Sequence, residues 1–432
     1  MTEAYDGRQV VGMDLHRRRS VLVRMTEDGR KLETVRIENS PAALRAVLAR
    51  AGKNPRVVVE ATYGWYWAVD VLEEAGAEVH LAHPLGVKAF TYRRVKDDER
   101  DAADLADLLR MGRLPEAWIA PPEIRELREL TRYRHKLVGL RTSCRDQVHA
   151  VLAKLGVPVT HSDIFGVHGQ AWLDGLRLPQ PYAGKVASLR QLNGELSGEI
   201  VLLEQVIGDL LAGHEGYRAI QALPGIGPVL GAVIVAEIGD IRRFPAAGQL
   251  CSWAGLTPRH RESDLKVSRG HVTKQGSRML RWAVCEAIQR QPAGTRPRQV
   301  KDGIIARRGK EAKNTAKVAA ARELLTLIFY GMRDGHIRRA SRRDRPHDLD
   351  RARGRARGRA TYCPPPGTGT RRPGSAGARV IDPARPAAKP PHAPPRQPCP
   401  GIREGMYAAR GAARPLAGHG AATTEHARPA TA

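Results

Sequence analysis

Between Gln9 and about Arg110 the spacing of apolar residues changes period repeatedly, and this restricts the fold more than any other feature of the chain. Three short β-rich runs come first, QVVGMDLH, SVLVRMT and KLETVRI, separated by polar or glycine-bearing turns, the second closing near Glu27-Asp28-Gly29. They predict an antiparallel meander. At Ser40 the period turns helical: a serine followed by Pro41 supplies an N-cap and a first-turn residue that needs no N–H partner. A buried strand RVVVEA, a helix around Trp67 to Ala75, a strand EVHLAH and a helix beginning near Asp97 follow.

Three meander strands and then α-β-α-β-α is the element order of a ribonuclease-H-like α/β fold, expected here over residues 9–115. Apolar residues recur at helical spacing from about Pro121 to Gly156 and from about Ala183 to Gly213, which predicts a long antiparallel helical pair in a connector over residues 116–215. The first of these helices is basic, with Arg125, Arg128, Arg132, Arg134, Lys136, Arg141 and Arg145 and almost no acid after Glu129. A solvated face and a phosphate-facing one both account for that run. A mainly helical third region is expected over residues 216–339. Residues 340–432 hold 18 Lys and Arg against 6 Asp and Glu among Ala, Pro and Gly, cannot form a core, and are expected to be disordered.

Length and charge set the class of partner. The 432 residues allow roughly three domains. Lys and Arg number 71 against 45 Asp and Glu, a formal net charge of +26 and a pI near 10.5, so a polyanion, DNA or RNA, is the expected partner. The five cysteines form no C-x-x-C pair and are odd in number, which argues against a disulfide framework and a zinc site and for a reducing compartment. The start MTEAYDGRQVVGMD has no apolar signal core, and the longest apolar run, Val229 to Ala236, is far shorter than the roughly 20 residues of a membrane span. A cytoplasmic protein, nucleoid-associated when bound to DNA and with no membrane partner, is expected.

The acids are arranged as cation ligands would be. Asp14 ends the first strand run and Glu60 ends VVVE, so neighbouring strands could present both at one sheet edge. In VKDDERDAADLADLL, Asp98 and Asp101 stand three residues apart, on one face of a helix. Four converging carboxylates repel unless cations neutralise them, and hard oxygen ligands suit Mg²⁺ or Mn²⁺. Paired ions roughly 3.5–4 Å apart activate an attacking oxygen and stabilise a leaving one in phosphodiester chemistry. An acidic helix N-terminus held by the helix dipole accounts for the same residues without a metal, Asp97 and Asp104 above all.

Two C-terminal segments point to phosphate. In LPGIGPVLGAVIVAEIGD, Gly225 and Gly227 allow a tight turn whose N–H groups at a helix start could hold a DNA phosphate, as in half of a helix-hairpin-helix; a turn before a buried apolar helix fits equally. SWAGLTPRHRESDLKVSRGHVTKQGSRMLRWAV follows, where Arg259, Arg261, Lys266, Arg269, Lys274, Arg278 and Arg281 could surround a phosphate and Ser263, Ser268 and Ser277 could act as nucleophiles.

The residues GLTP, Ser263 and GHVTKQGSRMLR, with GMDLH at Asp14, VVEAT at Glu60 and KDDERDAADLA at Asp98 and Asp101, resemble the DEDD transposases of bacterial insertion sequences of the IS110/116/902 type over about residues 9–339. The resemblance implies a RuvC-like N-terminal domain, a coiled-coil connector and a C-terminal transposase domain. It further implies a recombinase that excises and inserts its own element, guided by a structured RNA, as a homo-oligomer of two or four copies. Asp14, Glu60, Asp98 and Asp101 would then bind Mg²⁺ or Mn²⁺, and a serine would form a covalent phosphoserine link to DNA. Positional matching makes that serine Ser263, with Ser268 the alternative. Asp264 stands where the family usually has glycine, and Asp97 where it has threonine. Rival expectations are a structure-specific nuclease like the Holliday-junction resolvases, and an inactive remnant that only binds nucleic acid.

Overall fold

The computed structural model describes residues 5–90, 97–264 and 266–337; the tail expected to be disordered lies outside them. β1 (Val10–Leu15) is buried at every residue, which requires cover on both faces. β2 (Arg19–Met25) and β3 (Lys31–Glu38) form the expected antiparallel meander with it. On its other side β4 (Arg56–Glu60) and β5 (Glu78–Ala82) add in parallel, and the two-residue β6 (Glu116–Ala117) pairs antiparallel with β5. The order is β3-β2-β1-β4-β5-β6.

Helices cover the two faces. α1 (Pro41–Leu48), capped by the Ser40 side chain as expected, and α2 (Trp65–Glu74) pack on Val11, Met13, Leu15, Val57 and Val59. The short α3 (Pro84–Val87) and α4 (Asp98–Arg110) pack on the opposite face, over Val10, Val23 and Val58. Strand side chains alternate, so Val10, Gly12 and Asp14 share the α4 face, as do Val58 and Glu60. Asp97 is the N-cap of α4, its carboxylate accepting from the Glu99 N–H at 3.2 Å.

α5 (Pro122–Lys154) and α7 (Tyr182–Leu211) form the long pair, with α6 (Val167–Asp174) packed at its far end through Leu173, Ile164 and Val151. The pair is antiparallel: Arg134 bonds Glu204, Arg141 bonds Ser197 and Arg145 bonds Asn193, the partner numbers falling as the first rise. The basic run of α5 is therefore mostly turned onto protein. Arg125, 5% exposed, bonds Asp70 and lies over the Tyr66 ring of α2. Arg128 donates to the Ala236 and Glu237 carbonyls and Arg132 to the Glu237 carboxylate. Lys136 stays exposed.

The third region contains α8 (Glu215–Gln221), α9 (Pro228–Ile238), α10 (Ala247–Trp253), β7 (Pro258–Ser263), β8 (Lys266–Val272), α11 (Arg278–Gln289), α12 (Arg296–Arg308) and α13 (Lys313–Asp334). Its core forms around the apolar α9, where Ile234, Val235 and Ile238 meet Leu280, Val284, Leu324 and Ile328. The hairpin of β7 and β8 is an addition to the expected helices, with every residue of β7 exposed. Among the described residues no helix is long and apolar enough to cross a membrane.

Candidate active site

The site begins with a glycine. A Cβ on Gly12 would lie 1.9 Å from the Ala102 carbonyl oxygen, so only glycine lets α4 approach β1 this closely. That approach carries the first turn of α4 over the end of β1. Asp14 is buried there. The parallel register pairs Met13 with Val59, so the next residues along, Asp14 and Glu60, are strand neighbours on the same face.

Asp14, Glu60 and Asp101 line one cleft of about 310 Å³, walled by Pro84, Leu85 and Val87 of α3 and by Leu105, with exposed Lys88 at its edge. Asp98, half exposed, turns toward His16: Nε2 of His16 lies 3.1 Å from Asp14 Oδ2 and 3.3 Å from Asp98 Oδ1. Ligand atoms of Asp14, His16 and Asp98 all fall within 4.8 Å of one another. The four predicted acids thus meet around Asp14, in two overlapping groups. Hard carboxylate oxygens with one imidazole fit a divalent cation.

The neighbouring acids have other partners. Asp97 caps α4, and Glu99 reaches β3, where Lys31 Nζ at 2.8 Å and Thr34 Oγ1 at 2.9 Å hold its carboxyl below the ordinary range. Sequence reasoning passed over His16 and Lys88. His16 stands two residues after Asp14, the spacing that returns a strand to the same face, so a signal was there. Lys88 reaches the cleft through α3, which no spacing announced.

Ser263 lies at the end of β7, paired with Lys266 across a two-residue turn, and is exposed. Asp264, first residue of that turn, has φ 51°, the left-handed region that glycine favours and Asp tolerates. Ser268 is an exposed mid-strand residue opposite Arg261. No described hairpin residue lines the acidic cleft. Arg259, Arg261 and Lys266 are exposed along the hairpin; Arg269 lies in β8, its side chain outside the described residues.

Lys274 follows the hairpin in a left-handed conformation, φ 56°. Ser277 caps α11, and the exposed Arg278 opens that helix with no acid in its first turn, an arrangement that the dipole disfavours and an anion would relieve. Arg281 Nη1 donates to the carbonyls of Ala254, Gln275 and Gly276, and so holds this loop together. Gly225 has φ +82°, and a Cβ there would meet the Ala287 carbonyl at 2.4 Å, so packing against α11 explains it. Gly227 is the exposed N-cap of α9 with open space around it.

The chain is similar to known proteins over both of these regions. A family model for the DEDD transposases of IS110 type matches residues 11–156, and a model described as transposase IS116/IS110/IS902 family matches residues 217–300. Together they span more than half of the chain and include all four acids and Ser263. The chain belongs to the IS116/IS110/IS902 transposase family. The 44.8 kDa protein of insertion element IS116 of Streptomyces clavuligerus is 25% identical over 390 residues, 76% of this chain and 95% of that one. The transposase for insertion sequence element IS1111A of Coxiella burnetii is 23% identical over 285 residues, 63% of this chain and 75% of that one. A Pseudomonas aeruginosa protein named as a family 20 transposase is 28% identical over 225 residues, half of this chain and 64% of that one.

Proposed function

We propose that the protein is a DNA transposase that excises and inserts an insertion sequence by cutting and exchanging DNA strands. The observation that carries the reading is the convergence of Asp14, Glu60 and Asp101 on one cleft, with Asp98 and His16 at its edge, in a family member of net charge +26. In this reading residues 9–115 are the RuvC-like DEDD domain, 116–215 a coiled-coil connector and 216–339 the transposase domain.

Asp14, Glu60, Asp98 and Asp101 would hold Mg²⁺ or Mn²⁺, which supplies charge stabilisation at the scissile phosphodiester. Burial of Asp14 and the short reach of α4 to β1 keep the ligand oxygens in place. Ser263 Oγ would attack the phosphorus, forming a serine phosphodiester while its proton passes to the leaving deoxyribose hydroxyl. Attack on that link by the hydroxyl of another strand end frees the serine, so one ester replaces another without an external energy source. The exposed hairpin end supports Ser263 over Ser268. Arg259, Arg261, Lys266, Arg269, Lys274, Arg278 and the α9 N-terminus at Gly227 would carry DNA and a structured guide RNA, and two or four copies would assemble on them.

The test is a covalent adduct. Protein incubated with Mg²⁺ and DNA carrying an element end, then denatured in detergent, is expected to retain labelled DNA; Ser263→Ala and Asp14→Asn are expected to lose it. Cut DNA with no adduct in the wild type would replace this reading with hydrolysis by water, and an adduct that survives Ser263→Ala would move the nucleophile to another residue.

A further inference from the structure

Beside the root of the β7 and β8 hairpin lies a second, larger cleft, of about 980 Å³, of whose lining only Lys274 enters the function proposed above. One wall is Pro258, Gly270, His271 and Val272 of the hairpin, followed by Lys274; the other is the end of α12 and one face of α13. On that face Thr315, Ala319, Arg322 and Thr326 recur at the three- and four-residue spacing of a helix stripe.

The charges in the cleft are unbalanced. Lys274, Arg308 and Arg322 line it and are exposed, and among the described residues no carboxylate pairs with any of the three. The acid in the wall, Glu323, is taken by Arg296 at 3.3 Å. α12 repeats the imbalance: only Pro297 is buried along it, and its last turn is Arg307 and Arg308.

Lys274 supplies an independent observation. Its left-handed backbone is unfavourable for a residue with a Cβ, and such strain persists only where the surroundings impose it. Here they do: a Cβ on Gly255 would meet the Gln275 carbonyl at 2.1 Å, one on Gly276 the Trp253 carbonyl at 1.9 Å, and Arg281 ties the loop carbonyls together. The fold holds one ammonium group at the cleft wall at a conformational cost that a free loop would relax.

We propose that this cleft binds a single, unpaired strand of DNA through its phosphodiester backbone, as that strand passes to or from Ser263. Its volume is near the top of the roughly 300–1,000 Å³ of small-ligand sites, room for a few nucleotides of one strand. Among the described residues no Phe, Tyr or Trp lines it and His271 is its one aromatic ring, so Lys274, Arg308 and Arg322 contact phosphates and leave base identity unread. From Pro258 at the cleft to Ser263 at the hairpin end is about 17 Å of strand at roughly 3.3 Å per residue. That equals about five nucleotides of a stacked strand at 3.4 Å each, fewer if extended. The assignment of the occupant as the reacting strand rests on Ser263 being the nucleophile; the binding itself does not.

The test uses the full chain and a short fluorescent oligothymidylate, with anisotropy followed between about 50 and 200 mM salt. Removing two phosphate contacts with Arg308→Ala plus Arg322→Ala is expected to weaken binding on the order of tenfold and to flatten the log–log salt slope by about 1.4, at roughly 0.7 per contact on a single strand. Lys274→Gly, which suits φ 56° and so spares the fold, is expected to flatten it by about 0.7. Arg177→Ala plus Lys185→Ala, an equal loss of exposed charge elsewhere, is expected to leave the slope within about 0.3 of wild type. Equal slopes in all variants, an equal loss in the control pair, or a loss seen with RNA or duplex but not with single-stranded DNA would overturn the proposal. Wild-type binding by Ser263→Ala together with failure of its covalent adduct keeps the two readings separate. An adduct independent of Ser263 refutes the nucleophile and leaves the cleft result standing.

Discussion

Gly12→Ala changes no acid, no cation and no exposed atom, yet it is expected to abolish most of the activity. The added Cβ would lie 1.9 Å from the Ala102 carbonyl oxygen and 2.8 Å from the Ala106 nitrogen, main-chain atoms of α4 that no rotamer can move aside. Ordinary contact begins at 3.4 Å, so α4 must withdraw from β1 by roughly 1.5 Å. Overpacking of this kind costs about 1–3 kcal/mol, a fall of several degrees in Tm from a chain that still folds. The chemical effect is larger, because Asp98 and Asp101 ride on the first turn of the displaced helix while Asp14 and Glu60 stay on the sheet. A misplacement of about 1 Å can cost 100-fold in rate. The assay is the rate of covalent adduct formation on element-end DNA, beside thermal denaturation of the same preparation. A Gly12→Ala chain that reacts within about twofold of wild type at unchanged Tm would refute the argument that this close approach sets the ligand geometry.

Other substitutions probe the contacts that hold the third region on α5. Glu237, 3% exposed, is matched by Arg132, so Arg132→Ala leaves a buried carboxylate without its cation and is expected to lose about 3 kcal/mol in denaturant unfolding, Arg132→Lys clearly less; equal small losses would contradict this. The Arg243 guanidinium lies 4.6, 4.1 and 4.5 Å from the rings of Trp118, Phe244 and Trp253 and donates to the Ile238 carbonyl; Arg243→Lys, which lacks the planar fork, is expected to cost about 2 kcal/mol by the same measurement. His214 caps α8 by accepting from the Tyr217 N–H, and burial pushes its pKa below the ordinary 6.5. A base depressed in the folded state contributes stability above its unfolded pKa and loses it as pH falls through the folded one. Tm is therefore expected to drop between pH 7 and pH 5, and His214→Asn, which caps without titrating, to flatten that drop.

Where the pattern was local, it could be read. Ser40 with Pro41 marked a helix start, and RVVVE bounded by polar residues marked a strand ending in Glu60, because caps and strand limits depend on adjacent residues. The two adjacent aspartates were harder: only the geometry of the α4 N-terminus shows Asp97 as cap and frees Asp98. The hairpin was illegible for a physical reason. PRHRES has no buried face, so no hydrophobic alternation exists to announce it. The α5 arginines were equally opaque, since Glu237, Glu204 and Asn193 are brought to them by tertiary packing alone. Of the site itself, the four acids carried their own signal and His16 a weaker one in its spacing from Asp14; Lys88 and the cleft between the hairpin, α12 and α13 depend on how elements stack.

In the proposed function the acidic cluster and Ser263 act together in strand exchange. Excision in cells tests it most directly: the gene with its native flanks on a plasmid, scored by amplification across the junction of a circularised element, beside Asp14→Asn and Ser263→Ala. A junction is expected from the wild type and none from either variant, with all three proteins present at equal levels. A junction that persists in either variant, or none from a wild-type chain that is folded and binds DNA, would contradict it.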